Sequence, residues 1–338
     1  MTANFITGHV HTVFPMGDAS RVGEARRHAA LLAERVGLGE VEAGRLAIVV
    51  NELGNNLVRH ATKGHLLLAA REDEVELVSV DSGPGMSDIA RHMADGFSTG
   101  GTPGTGLGAV RRLTQDLDVH SRAGDGTVIV ARVGSGAARK SAHPFRIGGI
   151  ATAAPGESAC GDAWCAQLDG PMASIVLADG LGHGKAAAEA SAAMLDVFRD
   201  MPSRTARELF QQAHARLRAT RGAAVALLQL DGRARTVSCS GAGNVMGRLI
   251  TGTSDRTLLT QHGTVGVQMR QLSETHSAWP AHAVVIVHSD GIESRWPAQL
   301  IAPVLMRDPV IAASLIWRDH CRGRDDATVV IAMLQESS

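Results

Sequence analysis

Apolar residues recur at helical spacing over residues 21–36 and 41–60, the mark of two helices that each bury one face. Shorter, denser runs follow. Residues 75–80 read as a buried strand, 109–117 as an apolar helix and 126–132 as a closing strand. Beyond a small, polar and unpatterned stretch at 135–144, strands are expected near 146–151, 162–168, 173–178, 223–230, 235–240 and 281–288. Helices are expected near 184–200 and 205–219, and a last apolar run covers 329–334. The pattern predicts two domains. Residues 1–134 would form an α/β sandwich, a mixed sheet covered by helices. Residues 135–144 would be a linker, and 145–338 an α+β unit, a two-sheet β-sandwich flanked by helices.

Three polar segments punctuate the first domain: Asn51-Glu52-Leu53-Gly54-Asn55-Asn56, Asp81-Ser82-Gly83-Pro84-Gly85-Met86 and Gly104-Thr105-Gly106-Leu107-Gly108. Glu52 and Asn56 stand four apart, so on a helix they share a face. A carboxylate there suits a general base and an amide oxygen suits magnesium. Asp81 falls where a buried strand meets a loop, placed to accept from an exocyclic amine such as that of adenine. Gly83 and Gly85 let the backbone approach closely. Gly104, Thr105, Gly106, Leu107 and Gly108 open an apolar helix whose first amides suit phosphate. This is not a dinucleotide fingerprint, because no strand precedes the glycines and the last comes one residue early.

In this order the three segments resemble the GHKL ATP-binding fold, and within it the anti-sigma-factor serine kinases and stressosome switch kinases, over roughly residues 10–134. The resemblance implies Mg-ATP bound through Asn56, adenine read by Asp81, and Glu52 as general base toward a substrate serine. Residues 86–103 would be the lid over the nucleotide.

The second domain carries Cys160-Gly161-Asp162, Ala178-Asp179-Gly180, His288-Ser289-Asp290-Gly291 and Arg324-Asp325-Asp326-Ala327-Thr328, each acidic residue beside an expected strand. Four strand-end carboxylates suit two hard divalent cations, which together activate a water for attack on phosphorus. The four segments resemble the PPM-type serine/threonine phosphatases, in particular the compact bacterial branch that acts on STAS-domain proteins and includes SpoIIE-like and stressosome feedback phosphatases. The resemblance assigns two Mn²⁺ or Mg²⁺ ions to Asp162, Asp179, the Gly180 carbonyl, Asp290 and Asp325, the last chosen over Asp326 by its place in the motif. His183 is read as shaping the entry of a helix, and His9 and His11 as an incidental surface pair.

Composition narrows the functions. At 338 residues and 44% hydrophobic content, the chain can bury two cores. A formal net charge of −1 argues against a general nucleic-acid or membrane binder, and 3% aromatic content without tyrosine against a stacking platform for single strands. Neither a membrane span nor a signal peptide is indicated, and the four cysteines lack zinc spacing, so reduced thiols in the cytoplasm are expected. A bifunctional regulator follows. One half would phosphorylate a serine or threonine of a STAS-domain protein in a sigma-factor or stressosome circuit, and the other would remove phosphate from that protein or a sibling. The rival reading makes the ATP-binding half a sequestering module, for a sigma factor or STAS protein, with the phosphatase as sole enzyme. A sensor histidine kinase fits poorly, because no room for a helical hairpin precedes Asn51.

Overall fold

Strand β1 (Asn4–Thr7) pairs antiparallel with a strand from the far side of the chain, Asn4 lying opposite Leu168. The computed structural model describes residues 4–93, 106–136, 143–201, 205–258, 260–269 and 272–335. They divide into two units, His11–Lys140 and a discontinuous one, Met1–Val10 with Ser141–Ser338. The first ten residues, expected in the ATP-binding domain, thus belong to the phosphatase-like unit.

The unit His11–Lys140 runs β2 (Thr12–Pro15), α1 (Ala19–Arg35), α2 (Glu40–His60), β3 (His65–Arg71), β4 (Glu74–Asp81), α3 (Ile89–Met93), α4 (Gly106–Leu113), β5 (Asp116–Arg122) and β6 (Gly126–Gly134). The Asp18 carboxylate accepts from the Ser20 amide at 2.8 Å and starts α1. The sheet order is β2-β3-β4-β6-β5, and every pairing among the described strands is antiparallel, where a mixed sheet was expected. Ala25 and Leu32 of α1 and Leu46, Val50, Leu53 and Leu57 of α2 share a core with the alternating Leu66, Leu68, Val75 and Leu77 of β3 and β4. Helix α4 ends at Leu113, short of the expected 117. There the Thr114 hydroxyl donates back to the Val110 carbonyl at 2.8 Å, and the Gln115 amide already bonds to Arg132 of the sheet. Leu117 belongs to β5.

His11 corrects the reading of a surface pair. It is 2% exposed, with Nε2 3.2 Å from Glu76 Oε1. Burial alone would push the Glu76 carboxyl up, but Arg71 and Arg132, both at 2.7 Å, outweigh it and hold the group well below the usual carboxylate range.

The second unit adds β7 (Phe145–Thr152), β8 (Asp162–Asp169), β9 (Met172–Gly180), α5 (Lys185–Asp200), α6 (Ala206–Leu217), β10 (Ala223–Asp231), β11 (Thr236–Ala242), β12 (Met246–Ile250), β13 (Asp255–Leu258), β14 (Gly263–Thr264), β15 (Gln268–Met269), β16 (Glu274–Ala278), β17 (Val284–His288), α7 (Pro309–His320) and β18 (Ala327–Leu334). One sheet is ordered β1-β8-β9-β10-β11-β16 and the other β13-β12-β17-β18-β7. Trp164, Ile175, Leu177 and Leu228 from the first meet Val285, Val287 and Val330 from the second in the inter-sheet core. The outer face of the first sheet packs through Val176 and Val225 on Met194, Phe198 and Phe210 of α5 and α6. Helix α7 packs on β7 and β18 of the second. Among the described residues, no helix is long and apolar enough to cross a membrane.

Candidate active sites

In the first unit, α2 carries Asn51, Glu52, Asn55 and Asn56, all partly exposed, with Glu52 and Asn56 flanking the buried stripe that includes Leu53 and Leu57. Helix α2 packs against both β4 and α4, so one unit presents the Glu52/Asn56 face, the end of β4 and the helix opened by Gly106, Leu107 and Gly108. Gly104, Thr105 and most of the expected lid lie outside the described residues. Asp81 ends β4, 9% exposed, and its Oδ1 accepts from the Gly83 amide at 2.6 Å. That bond curls the chain into the loop and holds Gly83 against the carboxylate. Gly85 takes φ +66, and a Cβ there would clash with the Arg122 carbonyl. The Met86 amide bonds to Ser121 Oγ at 2.7 Å, pinning the far side of the loop to β5.

In the second unit the antiparallel pairing of β8 and β9 sets Asp162 directly opposite Asp179. The Gly180 amide donates to the Gly161 carbonyl at 3.1 Å, and a Cβ on Gly180 would clash with the Ala187 carbonyl, so α5 seats tightly on this strand end. Asp162 is 2% exposed and takes the Ser289 hydroxyl on Oδ2 at 2.6 Å. Ser289 in turn accepts from the Thr328 amide at 3.0 Å, so one serine ties β8 to the ends of β17 and β18. Asp290, next along, accepts from Asn244 Nδ2 at 2.5 Å.

The Asp325/Asp326 pair divides its labour. Asp326 spends both oxygens on backbone, Oδ1 on the Ala154 amide at 2.8 Å and Oδ2 on the Gly161 amide at 2.9 Å. It braces the loop that leads into Asp162. Among the described residues, Asp325 accepts only the Asp326 amide, at 2.9 Å, and stays partly exposed. His183 stands at the entry to α5 with Nδ1 2.6 Å from Glu157 Oε1.

The carboxylates feel one another. Burial, and then the charges of Asp162, Asp290, Asp325 and Asp326, push Asp179 up to about 9. Burial raises Asp162 to about 7 against the opposing Ser289 hydrogen bond. Burial followed by Asp325 raises Asp290 as well. Among the described residues, no three His, Cys, Asp or Glu side chains lie close enough to grip an ion as they stand. The donor chemistry nonetheless fits a hard cation. Asp162 Oδ1 is buried with no hydrogen-bond partner, and repelling carboxylates gather around it. Ser289, Asn244 and the bracing role of Asp326 were not foreseen. Ser289 lies inside a motif already singled out, whereas Asn244 carries no local signal.

A helix-covered sheet whose strand β4 ends in an Asp-Ser-Gly-Pro-Gly loop and packs on the helix that carries Glu52 and Asn56, joined in one chain to a β-sandwich with carboxylates at its strand ends, defines the class: a GHKL-type ATPase domain fused to a PP2C-type phosphatase domain. Residues 16–133 match the histidine kinase-like ATPase domain family and 170–304 the stage II sporulation protein E (SpoIIE) family. The chain is 36% identical over 111 residues to serine/threonine-protein kinase RsbT of Bacillus subtilis (strain 168), covering 32% of this chain and 84% of that protein. It belongs, through this half, to the RsbT family of serine/threonine kinases. Phosphoserine phosphatase RsbX of the same organism is 30% identical over 90 residues, 27% of this chain and 45% of RsbX, so the chain spans less than half of that relative. The crystal structure of RsbX with magnesium superposes with a TM-score of 0.52 at 21% identity, covering 58% of this chain and 98% of RsbX, which is a likeness of fold. A chain from structural work on the bacterial stressosome aligns at 28% identity and TM-score 0.52, covering 56% of this chain and 99% of its own.

Proposed function

We propose that this protein is a bifunctional partner-switching regulator acting in the cytoplasm. Its RsbT-like half phosphorylates a serine or threonine of a STAS-domain protein, and its phosphatase half removes phosphate from that protein or a sibling. In the first site Asn56 supplies an amide oxygen to magnesium, Asp81 accepts from the adenine amine, and the amides around Gly106 and Gly108 face the phosphates. Glu52 takes the proton of the target hydroxyl.

In the second site Asp162, Asp179, the Gly180 carbonyl, Asp290 and Asp325 hold two Mn²⁺ or Mg²⁺ ions. When bound, such a pair activates water and neutralises the phosphoryl charge. The chain's own contribution is orientation: Ser289 fixes Asp162, Asn244 fixes Asp290, and Asp326 braces the loop beneath them. The observation that carries this reading is the opposition of Asp162 and Asp179 across β8 and β9, with one buried Asp162 oxygen left without a partner.

A phosphate-affinity gel tests both halves at once. A STAS-domain protein is incubated with Mg-ATP and wild type, Glu52→Gln or Asp179→Asn. A shifted band that accumulates with Asp179→Asn and vanishes with Glu52→Gln is expected. No shift in any lane, with a phosphorylated STAS protein still hydrolysed by wild type, would leave the ATP-binding half as a sequestering module or a kinase for a different protein. A phosphorylated STAS protein that survives wild type plus Mn²⁺ would refute the phosphatase assignment.

A further inference from the structure

A cavity of about 340 Å³ opens beside the carboxylate cluster, under β12 and β13 and against the end of β17. Its wall combines the apolar Met246, Leu258 and Ile292 with the polar groups of Asn244, His288 and Arg322. Asp290 lines it too, and the Asn244 amide that holds Asp290 stands on the same wall, so the cavity runs directly into the phosphatase site.

Two polar side chains of the wall differ sharply in exposure. His288 is 1% exposed, and its Nδ1 donates to the Ser289 carbonyl at 2.9 Å. That leaves Nε2 as an acceptor, buried and without a partner. A buried acceptor costs free energy until a donor meets it. Arg322 is exposed at the rim and makes no salt bridge among the described residues, although its charge reaches Asp290. A volume near 340 Å³ sits at the low end of ligand pockets and exceeds one side chain.

We propose that this cavity is a substrate subsite that takes an acidic residue of the phosphoprotein next to the phosphorylated one. Arg322 pairs with the carboxylate, and the apolar wall covers the methylenes. A planar guanidinium at the rim suits a carboxylate. The neighbouring Asp290, once its charge is taken up by cations, no longer competes for it. The proposal rests on the phosphatase reading above.

The test uses the full chain with Mn²⁺, p-nitrophenyl phosphate, and phosphoserine peptides in an alanine background with single Glu or Gln residues at each of the three positions on either side. Wild type should prefer one Glu peptide over its Gln and all-Ala counterparts by about tenfold in kcat/KM, equivalent to about 1.4 kcal/mol. Arg322→Ala should lose that preference while hydrolysing p-nitrophenyl phosphate and the all-Ala peptide within about twofold of wild type. Arg322→Lys should restore part of it. A wild type indifferent to Glu, equal use of Glu and Gln, or a preference that survives Arg322→Ala would overturn the subsite with the phosphatase intact. Failure to hydrolyse any of these substrates would instead remove the phosphatase reading, and the subsite with it.

Discussion

Replacing Asp179 with Asn should stabilise the metal-free phosphatase unit at the pH values where the wild type is weakest. Asp179 is pushed to about 9 from an ordinary 3.8, so between those values the folded state keeps a proton that the unfolded chain has lost. A folded-state pKa raised in this way makes stability fall as pH rises, by about 1.4 kcal/mol per pH unit for one group. Asp162, at about 7, adds the same slope up to neutrality. From pH 6 to 8 the two together cost the metal-free protein about 4 kcal/mol, or about 8–16 °C in Tm for a unit of this size. The variant removes one group and relieves the other, so its Tm in EDTA should be nearly flat above pH 7 and higher than wild type at pH 8. All four tryptophans (Trp164, Trp279, Trp296 and Trp317) lie in this unit, so their fluorescence follows its unfolding without interference from the ATP-binding half. Mn²⁺ should restore the wild type and leave the variant where it was. A wild type whose EDTA melting point does not move between pH 6 and 8, or a variant that tracks it, would refute the reasoning.

Three further outcomes follow. Asp326→Ala strips the Ala154 and Gly161 amides of their acceptor, so it should lower the tryptophan-monitored Tm by an amount equivalent to about 2–4 kcal/mol and weaken Mn²⁺ binding, read by titration. Glu76→Gln removes the buried carboxylate shared by Arg71 and Arg132, leaves Asp116 as the remaining carboxylate on Arg132, and should cost the ATP-binding unit about 1–3 kcal/mol, read by circular dichroism. Because the Glu76 pKa is depressed, the stability it contributes is present above the ordinary carboxylate range and lost as pH falls through its folded value, so the gap between wild type and variant should close in acid. Deleting residues 1–8 removes β1 from the edge of β8 and should lower the tryptophan-monitored Tm while ATP binding persists.

Local signals in the sequence marked what was chemically dense. The Asn51 segment lies on a helix face, Asp81, Asp162 and Asp179 lie at strand ends, Asp290 follows the end of β17, and Gly106 opens α4. Helices α1 and α2 begin and end within two residues of their expected bounds, because amphipathic spacing is a local property. What escaped was set by distant partners. Helix α7 is buried almost all round, so it carries no amphipathic stripe to announce it. His11 reads as polar surface until Glu76 arrives from another strand. Ser289 acquires meaning only when β8 brings Asp162 within 2.6 Å. The four residues of β1 have no pattern beyond their own length, and what makes them a strand is β8.

That last pairing sets an order of events during synthesis. With Asn4 opposite Leu168, β1 leaves the ribosome long before the strand it will join. At about 5–20 residues per second the wait is roughly 8–30 s, ample for the intervening ATP-binding unit to fold. The phosphatase sheet is therefore completed only after the kinase-like unit that lies between two of its strands in the sequence has been made. A nascent chain truncated before β8 would carry a finished nucleotide-binding unit preceded by a strand whose hydrogen-bonding edge has no partner.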